Sequence, residues 1–354
     1  MNIEIYFSLC YTLVESLYKY LLLQKGDGVM NKDVLSYFID LDKEKLARDE
    51  NNAIIAPSKD VVKLRPDLQA SSCRKIVKYN IAGKRFFSKS EPNKFFTLKT
   101  HEMASSKMYR DLGITTPPVY YMMINGILRK RPALVSQDLY SIKQLDVALC
   151  SKLKAIRKIQ LQSDTILTPY DILFEKEVRD YCLTFMTKEC YEELVDMFML
   201  GDLRADSDIH PDNYFLYKKH GEKKYTGVIP IDLEHSQIAL SKCTTQEEFR
   251  HFIEKHEYES CLPFKHRYGD DYLGECYLFL GTYADRIKSL KNLVQSGKLT
   301  KKQTTLLKRA INYDLPSTME NIVAYHNFDK TQKHTCELVK RAWDYNHKQL
   351  SKEL

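Results

Sequence analysis

The strongest constraint on the fold comes from two polar stretches that flank a pair of short apolar runs near the middle of the chain. The first stretch, Asp208-Ile-His-Pro-Asp-Asn213, leads directly into the apolar residues 214–217. The second apolar run, residues 228–231, ends at Asp232. Apolar runs of this length with turn-forming residues at their ends are typical of paired strands. The pattern therefore predicts a hairpin that carries Asp208, Asn213 and Asp232 beside its strand ends.

These residue types suit the transfer of a phosphoryl group from a nucleotide, because this reaction needs positioning and charge neutralisation more than covalent chemistry. Mg²⁺ and Mn²⁺ prefer oxygen ligands and keep several waters. We therefore predict Asp232 as the bridging metal ligand, Asn213 as the second ligand, and Asp208 as the acceptor of the hydrogen bond from the attacking hydroxyl. In the alternative interpretation, Asp208 and Asn213 only cap turns around Pro211.

Upstream of the hairpin, alternating runs bounded by turn residues predict a small β lobe. Its predicted strands lie at 75–79, 85–87, 94–99, 119–124 and 127–135. Gly83 provides one turn, and Asn125-Gly126 joins the last two strands as a hairpin turn pair. One helix is predicted over residues 101–112, with Gly113 as its stop signal.

Most of the remaining chain has helical spacing or composition. Helices are predicted at 142–162, 171–201, 245–258, 271–296, 301–312, 317–326 and 332–350. A chain of 354 residues exceeds one average core, so two lobes are expected. The predicted class is α+β, with a helical or irregular extension over 1–69, a β-rich N-lobe over 70–138, and a larger helical C-lobe over 139–354.

A nucleotide site between such lobes needs a cation from the β lobe. Lys99 closes the predicted strand 94–99, and Glu102 lies in the helix that follows. A strand lysine held by a helix glutamate would fix the ammonium over the phosphates. Val135 and Gln137, at the end of the β lobe, are also predicted to contact the nucleotide.

The candidate phosphate loop is Ala70-Ser-Ser-Cys-Arg-Lys75, because the chain contains no Gly-x-Gly-x-x-Gly or Walker sequence. Backbone N–H groups of such a turn, with the Ser71 and Ser72 hydroxyls and the charges of Arg74 and Lys75, would hold phosphate oxygens. A solvated basic turn is the alternative.

Taken together, these motifs resemble the HipA/CtkA-type bacterial serine/threonine kinases, over roughly residues 70–240. In that family a small-residue loop ending in Lys replaces the glycine-rich loop, and a Lys-x-x-Glu run such as Lys99-Thr-His-Glu102 enters the helix. The helix then closes with Leu-Gly-Ile before proline, as in residues 112–118. The resemblance implies a bilobal protein-kinase-like fold, ATP with Mg²⁺ or Mn²⁺, autophosphorylation and a protein substrate.

The chain departs from kinase patterns at three places. Ser71-Ser72 stands where the loop usually has glycine, Asp206 takes the place of the His in His-Arg-Asp kinases, and Asp232-Leu-Glu234 replaces Asp-Phe-Gly. Nucleotide affinity and regulation by a mobile Phe therefore do not follow from the resemblance.

The Lys-, Tyr- and Asn-rich composition and the unmatched helical tail resemble the effector kinases that intracellular bacteria such as Legionella deliver into host cells. That resemblance implies activation by inositol hexakisphosphate in a host-cell cytoplasm. The net charge of +7 suits a partner such as an inositol polyphosphate or phosphoinositide. Two basic surfaces are candidates, and solvated faces are the alternative for both: Lys218, Lys219, Lys223 and Lys224 beside the hairpin, or Arg286, Lys288 and Lys291.

Composition limits the other classes of protein. Hydrophobic content of 44% and charged content of 29% indicate a folded soluble protein. Nine cysteines without a Cys-x-x-Cys pair suggest buried thiols in a reducing compartment. Residues 5–23 are apolar but contain Glu15 and Lys19, so we expect no transmembrane segment and no signal peptide there. Dispersed basic residues without a binding motif argue against nucleic acid as a partner.

Two other functions stay open at this point. The loop at residues 208–213 is also similar to the Gly-Asp-x-His-Pro-x-Asn loop of aminoglycoside and choline phosphotransferases, although Asp206-Ser207 stands where they keep His and Gly. A pseudokinase scaffold that binds nucleotide or inositol phosphate without turnover is the third possibility, motivated by the substituted phosphate loop.

Overall fold

The computed structural model describes residues 32–55, 62–63, 76–81, 83–90, 97–125, 130–150, 169–204, 206, 213–233, 245–255, 283–328 and 330–354. Several predicted features lie outside this set: Asp208, the candidate phosphate loop with Ser71, Ser72, Arg74 and Lys75, and the apolar stretch 5–23. In the described part of the chain, no helix is long and apolar enough to cross a membrane.

The small lobe is built on a seven-stranded sheet with the order β1-β2-β6-β7-β5-β4-β3. Its strands are β1 (Ala47–Arg48), β2 (Ile54–Ile55), β3 (Val62–Lys63), β4 (Ile76–Ile81), β5 (Lys84–Ser90), β6 (Val119–Asn125) and β7 (Lys130–Gln137). Only β2 and β6 pair in parallel; the other neighbours are antiparallel. The strands predicted at 75–79, 85–87 and 119–124 are confirmed by β4, β5 and β6, and the strand predicted at 127–135 is confirmed from residue 130. Gly83, at φ 75°, makes the turn between β4 and β5, whereas residues 126–129, with the predicted Asn125-Gly126 turn, lie outside the described set.

The described residues before residue 70 include strands that the predicted helical or irregular extension over 1–69 did not contain. After the short helix α1 (Lys32–Leu35), the backbone N–H of Leu41 donates to the Tyr120 hydroxyl at 3.1 Å, and that hydroxyl donates to the carbonyl of Ile39 at 3.1 Å. Strands β1 to β3 then join the sheet of the small lobe. Strand β2 pairs with β6 far along the chain, whereas β1 and β3 pair with the nearer β2 and β4. Each of β1, β2 and β3 has only two residues, which is too short for an alternating pattern to predict. The domain boundaries at 70 and 139 stay predictions.

One long helix, α2 (Thr97–Asp111), follows β5. The strand predicted over 94–99 is wrong at residues 97–99, because the helix already begins at Thr97. The physical reason is packing: Thr100, Ala104 and Met108 are fully buried at helical spacing, so the turn that contains Lys99 continues a helix. Gly113 ends α2 as predicted; its φ is 88°, and Ile114 N–H donates to the carbonyl of Tyr109 at 2.8 Å.

The large lobe is mainly helical. Its described helices are α3 (Pro169–Phe174), α4 (Lys176–Leu183), α5 (Lys188–Leu203), α6 (Gln246–Lys255), α7 (Tyr283–Gln295), α8 (Lys301–Ile311), α9 (Leu315–Tyr325) and α10 (Lys330–Leu350). The predicted α+β class is therefore confirmed. Helix α5 lies at the centre, since every residue from Glu193 to Leu203 is buried.

A three-stranded antiparallel sheet accompanies these helices, with the order β10-β9-β8. It consists of β8 (Leu145–Leu149), β9 (Tyr214–Lys219) and β10 (Gly227–Pro230). The predicted hairpin is confirmed by the pairing of β9 with β10. The helix predicted over 142–162 is wrong at residues 145–149, because pairing with β9 recruits them as a strand. At Gly227 a side chain would overlap the ring of Tyr217, its cross-strand partner.

The two lobes contact each other away from the hairpin. The Tyr313 hydroxyl donates to Asp111 Oδ2 at 2.7 Å, at the end of α2. Asn52 Nδ2 donates to the carbonyl of Tyr325 at 2.6 Å, and the ring of His326 packs edge-on against Tyr121 with 5.2 Å between centroids. The C-terminal helices therefore touch both α2 and the sheet of the small lobe.

Helix α5 also covers the outer edge of β10, and this contact makes stability depend on pH. Glu193 is buried, and its Oε2 accepts a hydrogen bond from Val228 N–H at 3.2 Å. Burial raises the pKa of Glu193 from its ordinary 4.5 to about 8. Between these two values the unfolded chain is ionised at this residue while the folded chain keeps its proton, so stability falls as pH rises.

We expect Glu193→Gln to remove this dependence, because the neutral amide oxygen still accepts from Val228. The substitution should have little effect near pH 4.5 and should stabilise the protein near pH 8, by up to about 1.4 kcal/mol for each pH unit of the interval. Urea unfolding across this pH range measures the difference. Glu189→Gln, at an exposed position of the same helix, is the control. A variant less stable than wild type at every pH would show that Glu193 is ionised in the fold.

Candidate functional site

Asn213 and Asp232 lie at the same end of the β9–β10 hairpin. Tyr214 pairs with Pro230 as the last register position, and beyond it Ile231 N–H donates to the carbonyl of Asn213 at 2.9 Å. Asn213 is buried, whereas Asp232 is half-buried. The hairpin therefore places a carboxamide and a carboxylate on adjacent backbone segments at one end.

The backbone of Asp232 has an unusual conformation. Its φ is 57°, in the left-handed region that residues other than glycine enter infrequently, with Asp and Asn enriched among those that do. Residues held in such conformations cluster at functional sites, where surrounding structure fixes them. The preceding strand supplies that support, because β10 is buried along its length.

The small lobe reaches this end of the hairpin through the loop after α2. Thr116 is buried, and its hydroxyl donates to the carbonyl of Pro230 at 3.0 Å. Pro230 lies just before the segment that carries Asp232. The contact therefore joins the small lobe to the strand that positions the predicted metal ligand.

Beneath the hairpin, the end of α5 contains a set of buried charges. Arg204 Nη2 donates to Asp206 Oδ2 at 2.8 Å, and Arg286 Nη1 donates to the Asp206 carbonyl at 2.6 Å. Arg286 also forms an ion pair with Asp202, which accepts a hydrogen bond from the Tyr170 hydroxyl. Burial raises the pKa of Asp202, and the charge of Arg286 opposes that shift. These contacts fix the chain just before the predicted catalytic loop.

The C-terminal helices α7 and α10 complete this arrangement. Asn346 Nδ2 donates to the carbonyl of Leu203 at 2.8 Å, and the Tyr283 hydroxyl donates to Asn346 Oδ1 at 2.6 Å. The last carbonyls of a helix have no partner within it, so side chains from other helices are a regular way to satisfy them. The end of α5 is thus held by two helices that follow it far along the chain.

Sequence reasoning missed most of these residues. It noted Asp206 only as a replacement for histidine, and it placed Arg286 on a candidate basic surface. That placement is wrong, because Arg286 is buried against Asp202. A usable signal was present: Asp202, Arg204 and Asp206 interrupt an apolar helix and the segment after it, and buried charges need partners.

The predicted strand position of Lys99 is wrong, whereas its role as the cation of the small lobe stays a prediction. Lys99 lies within α2, the same helix as the buried Glu102, and so it is not a strand lysine facing a helix glutamate. The strand that leads into α2 is β5, and its Lys89 is in register with Leu134 of β7. Leu134 belongs to the apolar cluster against which Met103, the neighbour of Glu102, packs. Lys89 is therefore a strand lysine in register with a residue of this cluster.

Val135 and Gln137 are both buried in the small lobe. Val135 belongs to the apolar core that also contains Ile81 and Phe86. Gln137 Oε1 accepts a hydrogen bond from Ile39 N–H at 2.9 Å, so this side chain supports the segment before β1. Contact of either residue with a nucleotide stays a prediction.

The basic residues of the β9–β10 turn lie largely at the surface. Lys223 and Lys224 are exposed, and Lys218 lies over the ring of Tyr225 with 5.4 Å between Nζ and the ring centroid. His220 Nδ1 lies 3.0 Å from Asp146 Oδ1. This surface remains available to an anionic ligand.

Comparisons with known proteins identify the fold. No protein-family model and no curated protein sequence match the chain. Among solved structures, the crystal structure of the Helicobacter pylori proinflammatory kinase CtkA is similar, with a TM-score of 0.53 and 13% identity, over 84% of this chain and 98% of that one. Spectinomycin phosphotransferase APH(9)-Ia, in complex with ADP and spectinomycin, has 13% identity over 82% of this chain and 93% of its own, but its TM-score of 0.23 is too low for an argument. The predicted bilobal, protein-kinase-like fold is confirmed.

The buried charges lead to a stability prediction. Asp202→Ala would leave the Arg286 guanidinium without its counter-charge in a place that water does not reach, so we expect a loss of about 3–5 kcal/mol in the free energy of unfolding. Urea unfolding measures it, with Asp180→Ala at an exposed position of α4 as the control. A loss no larger than that of the control would mean that the pair does not hold the end of α5.

Proposed function

We propose that this protein is an ATP-dependent phosphotransferase whose acceptor is a serine or threonine of a protein. The observation that carries the proposal is the meeting of Asn213 and Asp232 at one end of the β9–β10 hairpin, within a protein-kinase-like fold. Fold alone does not determine chemistry, so the proposed reaction depends on the residues of this site.

The two residues fit a hard divalent cation. A carboxylate and a carboxamide supply oxygen ligands of the kind that Mg²⁺ and Mn²⁺ prefer, and nucleotide phosphates and water complete the shell. Among the described residues, no cluster of three or more His, Cys, Asp or Glu side chains forms a metal site. The bound metal would neutralise phosphate charge during transfer.

The other roles follow from the chain order of the fold. Asp208, in the segment between Asp206 and Asn213, accepts the hydrogen bond from the acceptor hydroxyl and takes its proton. Lys89 replaces Lys99 as the proposed cation over the phosphates, with Glu102 of α2 as its partner. The residues Ser71, Ser72, Arg74 and Lys75 stay the proposed phosphate loop, since they connect β3 to β4 in the chain.

The finer parts of the proposal rest on the resemblance stated above. The resemblance of the sequence motifs to HipA/CtkA-type serine/threonine kinases favours a protein acceptor over an aminoglycoside or choline. Activation by inositol hexakisphosphate, or a related inositol phosphate or phosphoinositide, is supported by the net charge of +7 and by the exposed Lys223 and Lys224. Delivery into a host cell rests on compositional resemblance alone.

The metal-ligand assignment predicts a specific defect. Asp232→Ala should lose both phosphoryl transfer and metal-dependent nucleotide binding, because its carboxylate would hold the metal that neutralises the nucleotide phosphates. Asp208→Ala should bind nucleotide nearly normally and turn over slowly. Transfer from labelled ATP and thermal shift with ATP and Mg²⁺ or Mn²⁺ separate the two defects. Transfer that survives in Asp232→Ala would refute the assignment.

The assignment of Lys89 predicts that substitutions of Lys89 and Lys99 have different effects on turnover. Lys89→Ala should lower turnover by about 100-fold or more, as loss of a preorganised charge does elsewhere. Lys99→Ala should have a much smaller effect, and Lys107→Ala, at an exposed position of α2, serves as the control. The reverse order of effects would return the role to Lys99.

The acceptor and the activator are tested with labelled ATP. Serine- and threonine-containing protein substrates, the chain itself, choline and an aminoglycoside panel are compared, each with and without inositol hexakisphosphate. Label only in a small alcohol would make the protein a small-molecule kinase. Nucleotide binding without transfer to any acceptor would make it a scaffold.

A further inference from the structure

A stacked pair of side chains joins α2 to the end of α5. Tyr109 of α2 is 1% exposed, and the Arg204 guanidinium lies over its ring with 4.7 Å between Cζ and the ring centroid. Arg204 is equally buried and donates to the Asp206 carboxylate at 2.8 Å. A continuous set of contacts therefore leads from the helix of Glu102 to the residue two positions before Asp208.

This contact is strong enough to transmit a displacement. A desolvated cation over an aromatic face is a favourable contact, and removing one partner of a buried ion pair is strongly destabilising. The Asp206 backbone is fixed as well, since its N–H donates to the carbonyl of Gly201 at 2.9 Å and its carbonyl accepts from Arg286. Arg204 thus has one position that satisfies both the tyrosine ring and the carboxylate.

We propose that Tyr109 and Arg204 are positioning residues that couple the placement of α2 to the placement of Asp206, two positions before the proposed acceptor residue Asp208. The proposal rests on the phosphoryl transfer proposed above. Because the cation of the small lobe and the acceptor carboxylate must converge on one nucleotide, their relative placement determines turnover. A loop that is displaced by about 1 Å loses turnover by as much as 100-fold while nucleotide binding changes little.

The test compares three variants in and beside this contact. Tyr109→Leu removes the ring, Tyr109→Phe keeps it, and Met108→Ala removes a neighbouring fully buried side chain of the same apolar core. We expect Tyr109→Leu to lower kcat by about 10-fold or more with KM for ATP within about 2-fold. Tyr109→Phe, which keeps the ring, should have a kcat near that of the wild-type protein. Met108→Ala should lower the free energy of unfolding without this loss of kcat.

A second readout needs no turnover. Hydrogen exchange of the Arg204 and Asp206 amides should be faster in Tyr109→Leu than in Met108→Ala, because only the first variant releases the guanidinium. Equal exchange in the two variants would overturn the coupling, and so would an equal loss of kcat. Absence of transfer by the wild-type protein, together with the expected difference in exchange, would contradict the proposed function while leaving the coupling intact.

Discussion

The buried ion pairs at the end of α5 are the interactions on which the candidate site depends. Removing charges such as Asp202 and Arg286 from water costs several kcal/mol each, and the fold tolerates this only because each charge meets a partner of opposite sign. The same requirement fixes geometry. Arg286 must lie where it reaches both Asp202 and the carbonyl of Asp206, which determines how α7 lies against α5. The polar residues beneath the hairpin therefore specify one arrangement of the large lobe.

The β9–β10 hairpin is the second feature that fixes the position of the candidate site. Residues of β10 are buried on α5, and its outer edge is covered by the Glu193 carboxyl, so the strand has little freedom to move. The chain leaves this rigid strand through Asp232, whose backbone takes a left-handed conformation. Thr116 then contacts the last residue of the strand from the small lobe. Both lobes thus contribute to the position of one carboxylate.

Local sequence patterns predicted the elements that are determined by interactions between residues close in the chain. Gly113 ends α2 because the left-handed conformation at a helix terminus favours glycine. The β9–β10 hairpin was recognisable from two apolar runs with polar ends. The roles of Asn213 and Asp232 at its open end are still predictions. The sequence therefore located the candidate site while leaving its chemistry to experiment.

Other parts depend on contacts between distant residues and could not be predicted in this way. Strand β8 exists because β9 pairs with it, and β1 to β3 exist because they extend a sheet formed later in the chain. Lys99 seemed to close a strand because residues 94–99 alternate, whereas the buried face of α2 makes that position helical. The strand before α2 is β5, which carries Lys89, the lysine proposed above for this role. Alternation over six residues cannot separate a strand from the first turn of a helix when the deciding contacts are tertiary.

The C-terminal helices, which no motif explained, gain a role from these contacts. They hold the end of α5 through Asn346, and they hold the end of α2 through the bond from Tyr313 to Asp111. The contacts between the lobes thus include the packing of the C-terminal helices on the small lobe. The contact between Tyr109 and Arg204 joins the same two elements, α2 and the end of α5. The C-terminal helices therefore hold in place both elements whose alignment this contact is proposed to control.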